Sequence, residues 1–194
     1  MVVVAFLLFR SNLPRAAKST GGETVVAFGD SLVAGLGATA GQDFVSELSR
    51  RVGVPIVNAG RSGDTTGSAL ERLDQDVLSL NPRVVIVLLG GNDFLRGVPK
   101  EETFRNLATI LGKIREQGSA VILVAVSVGV FSDPHGERYE ELARQARAGL
   151  VPDILDDIRG RQDRMADPIH PNDAGYRIIA DRIEPALRDL VSSD

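Results

Sequence analysis

Four short polar motifs, far apart along the chain, carry the residue types that one kind of chemistry needs together. They are Gly29-Asp30-Ser31-Leu32, Asn58-Ala59-Gly60, Gly90-Gly91-Asn92-Asp93 and Asp167-Pro168-Ile169-His170. They supply a serine hydroxyl, a backbone donor, a side-chain amide, and a histidine with a carboxylate three residues before it. A serine attacks a carbonyl when a nearby base takes its proton, and hydrogen-bond donors must stabilise the resulting oxyanion. The motifs therefore predict a serine nucleophile, its base and an oxyanion site.

Length and composition restrict the kind of protein that can carry these motifs. The chain has 194 residues and is 43% hydrophobic, which suits a single globular domain with a sizeable core. Its net charge of −4 leaves no basic stripe for phosphates, so we expect no nucleic-acid partner. It has no cysteine, which excludes disulfides and thiolate nucleophiles, and its two histidines are His135 and His170. Any histidine-dependent mechanism must use one of these two.

Short β-branched runs alternate with longer amphipathic stretches, a pattern typical of repeated βα units and a parallel sheet. We predict five strands, at Thr24–Phe28, Pro55–Asn58, Arg83–Leu89, Ala120–Ser127 and Leu150–Pro152. Apolar spacing predicts helices through Phe44–Val52, Leu70–Leu80, Phe104–Ile114, Glu137–Arg147 and Tyr176–Leu187. Within the third and fourth strands, the runs 84–89 and 121–126 are apolar at every position, as expected for strands buried on both faces. The predicted fold is a three-layer αβα sandwich around a mostly five-stranded parallel sheet.

This fold would bring the motifs together. Ser31, Gly60 and Asn92 follow the first, second and third predicted strands, and ligands of open α/β sheets bind beyond the carboxyl ends of the strands. His170 precedes the last helix, so it can reach the same edge from a loop. We therefore expect the four motifs to converge at one edge of the sheet.

In this order, the motifs resemble the GDSL, or SGNH, hydrolase family, and within it bacterial members of thioesterase, lysophospholipase and arylesterase type. The resemblance spans residues 24 to 187 and implies a flavodoxin-like αβα fold. It implies Ser31 as nucleophile, His170 as its base and Asp167 as the acid that orients the imidazole. It also implies an oxyanion hole made by the N–H groups of Ser31 and Gly60 and the amide of Asn92. The chemistry it implies uses no metal and no organic cofactor.

Three other polar residues have simpler interpretations. Asp30 and Asp93 are expected to bond nearby backbone N–H groups as structural supports, because carboxylates at loops and helix starts commonly do so. His135 follows Asp133-Pro134 in a polar loop and is expected to be a solvated residue at the rim of the pocket. The three-residue spacing leaves open whether Asp167 holds His170 through its carboxylate or its backbone carbonyl.

The resemblance implies a small carboxylic ester or thioester as substrate. Apolar residues next to the motifs, or in the loop after the fourth strand, are candidates for binding an apolar acyl group, although each could equally serve ordinary packing. They are Leu32, Val33, Phe94, Leu95, Val130 and Phe131. The segment 127–133 departs from the proline-rich loop associated with thioesterase-type relatives, which puts the specificity in question and leaves the chemistry unchanged.

Three alternative functions compete with the acylhydrolase interpretation. A nucleotide-binding module would place phosphate at the glycine-rich turn after the first strand, but Gly29, Gly35 and Gly37 do not have the spacing of a phosphate-binding loop. A non-catalytic carbohydrate-binding domain would have no use for the serine, asparagine and histidine together. An esterase that removes acetyl groups from sugars remains the alternative within the enzyme class.

Residues 1–22 are expected to form a segment separate from a hydrolase domain at 23–194. An apolar run at 1–9 is followed by Arg10, Arg15 and Lys18, and nine residues are too few to span a bilayer. The segment is either a frayed terminus or a signal-anchor that has lost its beginning, which would act as a membrane tether. The second case predicts an extracytoplasmic or membrane-anchored protein, and the first a cytoplasmic one. We expect a monomer in both cases.

Overall fold

The computed structural model describes residues 13–127 and 136–192. Five parallel strands form one sheet, in the spatial order β2-β1-β3-β4-β5. The strands are β1 Thr24–Gly29, β2 Ile56–Gly60, β3 Pro82–Leu88, β4 Ala120–Val124 and β5 Gly149–Val151. The predicted fold is confirmed, with strand ends that differ by up to three residues from the predicted ones.

The strand register aligns the carboxyl ends where the motifs begin. The final residue of β1, Gly29, lies opposite Gly60 of β2 on one side and Leu88 of β3 on the other. β3 is buried at six of its seven positions and β4 at all five, which accounts for their apolar runs at 84–88 and 120–124. The chain therefore leaves three neighbouring strands at the same level of the sheet.

Helices cover both faces of the sheet. They are α1 Ser31–Ala34, α2 Phe44–Val52, α3 Thr66–Asp76, α4 Gly91–Leu95, α5 Lys100–Glu116, α6 Gly136–Gln145 and α7 Asp173–Val191. One apolar cluster joins α2 and α7 to the sheet through residues such as Phe44 and Ile179, and a second joins α3, α5 and α6 to the other face through Leu73 and Leu107. These clusters are the two cores of the sandwich.

Two features of the helices differ from the prediction. The helix expected through Leu70–Leu80 stops at Asp76, and a separate 3₁₀ turn covers Leu78–Leu80, because the backbone of Val77 leaves helical geometry. The short helices α1 and α4 were not predicted, since four or five residues give too little periodicity to detect. Both begin inside the motifs that carry the chemistry.

Residues 13–22 lie against the rest of the described chain. The Pro14 carbonyl accepts a hydrogen bond from Leu150 N–H of β5, and Ala17 N–H donates to the Arg147 carbonyl. Thr20 N–H donates to the Gly118 carbonyl. The first two contacts lie at the outer edge of β5 and just before it, where backbone groups would otherwise be unpaired, and the third lies at the turn before β4. Within the described residues, no helix is long and apolar enough to cross a bilayer.

Candidate active site

Ser31 is positioned by a tight turn at the end of β1. A Cβ atom at Gly29 would overlap the Leu88 carbonyl, so only glycine lets β1 approach β3 this closely. Asp30 then caps α1 by accepting a hydrogen bond from Leu32 N–H at 3.0 Å. Ser31 is the first residue of α1, where a backbone N–H has no acceptor inside the helix. The turn thus presents both the hydroxyl and the N–H of Ser31 at the edge of the sheet.

His170 reaches Ser31 from the loop before α7. The loop is held by hydrogen bonds from Ala166 N–H to the His170 carbonyl and from the N–H groups of Ala174 and Gly175, at the start of α7, to Asn172 Oδ1. The His170 Nε2 atom lies 3.1 Å from Ser31 Oγ, across 139 residues of sequence. The predicted nucleophile and base are therefore within hydrogen-bond distance of each other.

Asp167 holds the other side of the imidazole with its carboxylate. Its Oδ2 atom lies 2.8 Å from His170 Nδ1, while its Oδ1 atom accepts hydrogen bonds from the backbone N–H groups of Ile169 at 2.7 Å and His170 at 2.8 Å. The side-chain bond to His170, followed by these two N–H groups, lowers the pKa of Asp167 to about 2. An ionised acceptor at Nδ1 places the ring proton there, which leaves the Nε2 lone pair facing Ser31.

Asn92 is the second residue of α4 and points its amide toward the same turn. Its Nδ2 atom donates to the Asp64 carbonyl at 2.9 Å, and it lies 3.4 Å from Asp30 Oδ2. The first hydrogen bond fixes the plane of the amide. The second is long, so the N–H on that side can exchange to a better acceptor.

Gly60 is used differently from the prediction. Its N–H donates to Asn58 Oδ1 at 2.9 Å, and the Asn58 side chain in turn donates to the Val33 carbonyl at 2.8 Å. A Cβ at Gly60 would overlap the backbone of Ala34. Gly60 thus provides close packing behind α1, and its N–H is already engaged in the turn that ends β2.

Gly63 offers a backbone donor that the sequence analysis missed. Its φ of +82° places it in the left-handed region, and its carbonyl accepts a hydrogen bond from Arg96 at 2.8 Å. Among the described residues, its N–H has no acceptor. The next residue, Asp64, holds the Asn92 amide, so Gly63 lies beside a predicted oxyanion donor. The sequence signal was a second glycine three positions after Gly60, directly before Asp64.

Two carboxylates next to these donors are buried. Burial raises the pKa of Asp30 to about 6, although the hydrogen bond from Leu32 N–H and the nearby His170 oppose that rise. Asp93 is fully buried and accepts hydrogen bonds from the Thr66 N–H at 2.9 Å and the Thr66 hydroxyl at 2.6 Å. Asp93 therefore joins the start of α4 to the start of α3, and Asp30 caps α1.

The predicted substrate-binding residues are only partly in open positions. Val33 is fully buried and Leu32 is 5% exposed, and both belong to the core between the sheet, α2 and α7. Their prediction as substrate contacts is corrected, because α1 turns both side chains toward the core. Phe94 is half-buried, and Leu95 is 57% exposed at the end of α4. Val130, Phe131 and His135 lie outside the described residues.

The chain matches a known family of hydrolases. The sequence model of the GDSL-like Lipase/Acylhydrolase family matches residues 27–178, which include all four motifs. The chain is 33% identical over 183 residues to Esterase TesA of Pseudomonas aeruginosa, covering 87% of this chain and 90% of that protein. It is 30% identical over 183 residues to Arylesterase of Vibrio mimicus, covering 89% of this chain and 92% of that protein.

A solved structure agrees with these sequence relatives. The crystal structure of TesA superposes with a TM-score of 0.76 at 33% sequence identity, covering 86% of this chain and 99% of that one. The similarity therefore extends over the sheet, both helical layers and the edge that carries the motifs.

Proposed function

This chain belongs to the GDSL-like lipase/acylhydrolase family, and from that premise we propose that it hydrolyses carboxylic esters or thioesters through an acyl-enzyme on Ser31. It is a serine esterase of acylhydrolase type. The observation that carries the proposed site is the hydrogen-bonded series from Ser31 Oγ to His170 Nε2 at 3.1 Å and from His170 Nδ1 to Asp167 Oδ2 at 2.8 Å. The serine is hydrogen-bonded to its base, and the base is hydrogen-bonded to the carboxylate that orients it.

The proposed reaction begins with attack of Ser31 Oγ on the substrate carbonyl. His170 Nε2 takes the hydroxyl proton as the C–O bond forms, and the ionised Asp167 stabilises the resulting imidazolium. His170 then returns that proton to the leaving alcohol or thiol, so the acyl group remains on Ser31. A water molecule, activated by the same nitrogen, releases the carboxylic acid and regenerates the serine.

The tetrahedral oxyanion needs donors aimed at one point. We assign these to the Ser31 N–H, the Asn92 side chain and the Gly63 N–H, in place of the predicted Gly60 N–H. The assignment is supported by the hydrogen bond that occupies the Gly60 N–H and by the position of Gly63 beside Asp64, which holds Asn92. One such donor contributes about 3–4 kcal/mol to the transition state.

The assignment of the backbone donor can be tested by NMR on the enzyme inhibited by an alkyl phosphonate at Ser31. The phosphonyl oxygen occupies the position of the oxyanion, so its donor should show a downfield amide proton shift. We expect the Gly63 amide proton to shift downfield and the Gly60 amide proton to stay close to its position in the free enzyme. A shift of the Gly60 amide proton without one at Gly63 would instead identify Gly60 as the backbone oxyanion donor.

A panel of p-nitrophenyl esters from C2 to C12 tests the proposed function. We expect turnover with a maximum at one chain length, its loss in Ser31→Ala, and unchanged turnover in Ser79→Ala, since Ser79 is an exposed serine in the 3₁₀ turn after α3. Release of acetate from acetylated sugars, with no turnover of longer esters, would favour the sugar O-acetylesterase. No turnover by folded protein would contradict the proposal and favour a binding module.

We also propose that the enzyme acts as a monomer and that the predicted N-terminal segment, residues 1–22, carries a membrane tether in its apolar run at 1–9. The support for the tether is the apolar run at 1–9 followed by basic residues. Light scattering on the purified chain tests the first proposal, and a dimer mass would contradict it. Flotation with anionic lipid vesicles tests the second, with a chain lacking residues 1–12 as the control. Equal flotation of the two chains would contradict the tether.

A further inference from the structure

We propose that Arg72, a buried residue of α3 that does not face the nucleophile, is a positioning residue for the oxyanion donors. The inference rests on the proposed function and deepens it by naming what holds the donors in place. It depends on four contacts of one guanidinium group, which reach Phe28 and Gly29 at the end of β1, Asp64 in the loop after β2, and Asp76 of α3 itself.

Arg72 is 7% exposed and uses all three of its nitrogens. Its Nε atom donates to Asp64 Oδ2 at 2.6 Å, and its Nη1 atom donates to Asp76 Oδ2 at 2.9 Å. Its Nη2 atom donates to the Gly29 carbonyl at 3.0 Å. The guanidinium carbon also lies 4.4 Å from the centre of the Phe28 ring. The planar group is therefore held on its edges by hydrogen bonds and on one face by an aromatic ring.

The contact with Asp64 reaches two of the proposed donors. Asp64 is 5% exposed, and its other carboxylate oxygen accepts from the Ser68 hydroxyl at 3.1 Å. Its backbone carbonyl accepts the hydrogen bond that fixes the Asn92 amide, and its backbone nitrogen is bonded to the Gly63 carbonyl carbon. A change in the position of Asp64 would therefore move both the Asn92 and the Gly63 donors.

The contact with the Gly29 carbonyl reaches the third donor. Gly29 ends β1 two residues before Ser31, and its carbonyl also accepts from Arg61 N–H at 2.9 Å. Arg72 thus connects the turn that carries the nucleophile with the loop that carries the other donors. One rigid guanidinium group therefore contacts the segments that position all three donors.

The chemistry of the contacts requires arginine. A lysine would offer one ammonium group in place of a planar fork, and it could not reach Asp64, Asp76 and Gly29 in one plane. Without the guanidinium group, the buried Asp64 carboxylate would lose its charged partner, and the loop would shift to hydrate it. Since displacement of a catalytic group by about 1 Å can lower the rate about 10²-fold, the predicted consequence is a loss of kcat.

The first test compares Arg72→Lys and Arg72→Met with the matched control Arg51→Met. Arg51 bonds Asp181 and Glu184 on α7, away from the motifs, so its loss also removes ion pairs. We expect both Arg72 variants to lose about 10²-fold in kcat at fixed temperature, with KM changed less than threefold. Their rate of inactivation by a phosphonate should fall in parallel. The control should lower the melting temperature and keep the wild-type kcat.

A double-mutant cycle separates positioning from a general loss of structure. If Arg72 acts through the Asn92 amide, Arg72→Lys should cost much less in an Asn92→Ala background than in the wild type. Equal losses in the two backgrounds, or wild-type kcat in folded Arg72→Lys, would overturn the proposal. If Arg72→Met does not fold, Arg72→Lys and Asp64→Asn support the same cycle. Failure of the proposed function is a separate result, because wild-type enzyme would then show neither turnover nor a phosphonate adduct.

Discussion

The side-chain amide of Asn92, a proposed oxyanion donor, is oriented before any substrate binds. One N–H is held by the Asp64 carbonyl, and the other faces Asp30 at 3.4 Å, a long distance for a hydrogen bond. The amide is therefore already oriented, and only the weak contact must be given up when an oxyanion forms. Preorganised donors of this kind act mainly in the transition state.

Replacing Asn92 by alanine should lower kcat by about 10²–10³-fold with little change in KM, because the hydrogen bond strengthens as charge develops on the carbonyl oxygen. Steady-state kinetics on a p-nitrophenyl ester measure both constants. A rise in KM with unchanged kcat would show that Asn92 binds the ground state instead.

The raised pKa of Asp30 should make the stability of the protein depend on pH. Its pKa is raised from 3.8 to about 6 by burial, so between these values the native state holds a proton that the unfolded state has released. The raised pKa therefore stabilises the native state by up to about 3 kcal/mol below about pH 4. This stabilisation is lost as the pH rises through 6.

Urea unfolding of wild type and Asp30→Asn from pH 4 to 7 measures this contribution, since the variant keeps a side-chain oxygen for the Leu32 N–H. The free energy of unfolding of wild type, taken relative to the variant, should fall as the pH rises from 4 to 6 and then level off. A constant difference across this range would mean that Asp30 titrates as an ordinary carboxyl.

At the scale of elements, the loop after α1 and the loop before α7 are packed together so that His170 meets Ser31. Gly37, in the first loop, has a φ of +95°, and a Cβ there would lie 2.5 Å from the Pro171 carbonyl and 3.1 Å from the His170 Cβ. Tyr176 of α7 also donates from its hydroxyl to the Leu36 carbonyl at 2.8 Å. The spacing of base and nucleophile depends on this close approach.

Gly37→Ala should push the His170 loop away from Ser31 and lower kcat by about 10²-fold. Gly41→Ala is the matched control, because Gly41 also has a positive φ of +77° and nothing lies within 4 Å of its added Cβ. Both variants should lose about 1 kcal/mol of stability from backbone strain, and only Gly37→Ala should lose activity. Equal kcat values for the two would contradict the role of this packing.

Particular elements show what the sequence could and could not predict. The strands β3 and β4 were predictable because every buried position in them is apolar. The Ser31–His170 pairing was predictable because the carboxyl ends of parallel strands share an edge. The proposed donor role of Gly63 was not, since it depends on an Asn58 side chain that occupies the Gly60 N–H. Val33 failed as a substrate contact because the one-turn helix α1 was not detectable.

At the scale of the whole molecule, the described part of the N-terminal segment supports the sheet edge. Residues 13–20 make three backbone hydrogen bonds. Their partners are the loop between α6 and β5, β5 itself, and the turn before β4. Ala16 also packs against Gly149, and Leu13 against the apolar cluster under α5. The predicted division at residues 22 and 23 stays a prediction that these contacts make testable.

Two truncated chains, starting at residues 13 and 23, should differ in stability. Loss of three backbone hydrogen bonds, each contributing about 0.5–1.5 kcal/mol, predicts that the shorter chain is less stable by on the order of 3 kcal/mol. Urea unfolding of both chains measures the difference. Equal stability would support a domain that begins at residue 23.

Trapping the acyl-enzyme tests most directly whether Ser31 is the nucleophile. Wild type and Ser31→Ala would be mixed with a p-nitrophenyl ester, quenched in acid within one turnover, and analysed by intact mass and peptide mapping. We predict one added acyl group on the peptide that contains Ser31, and none in the variant. Ester turnover without this adduct, or an acyl group on another residue with Ser31→Ala still active, would contradict it.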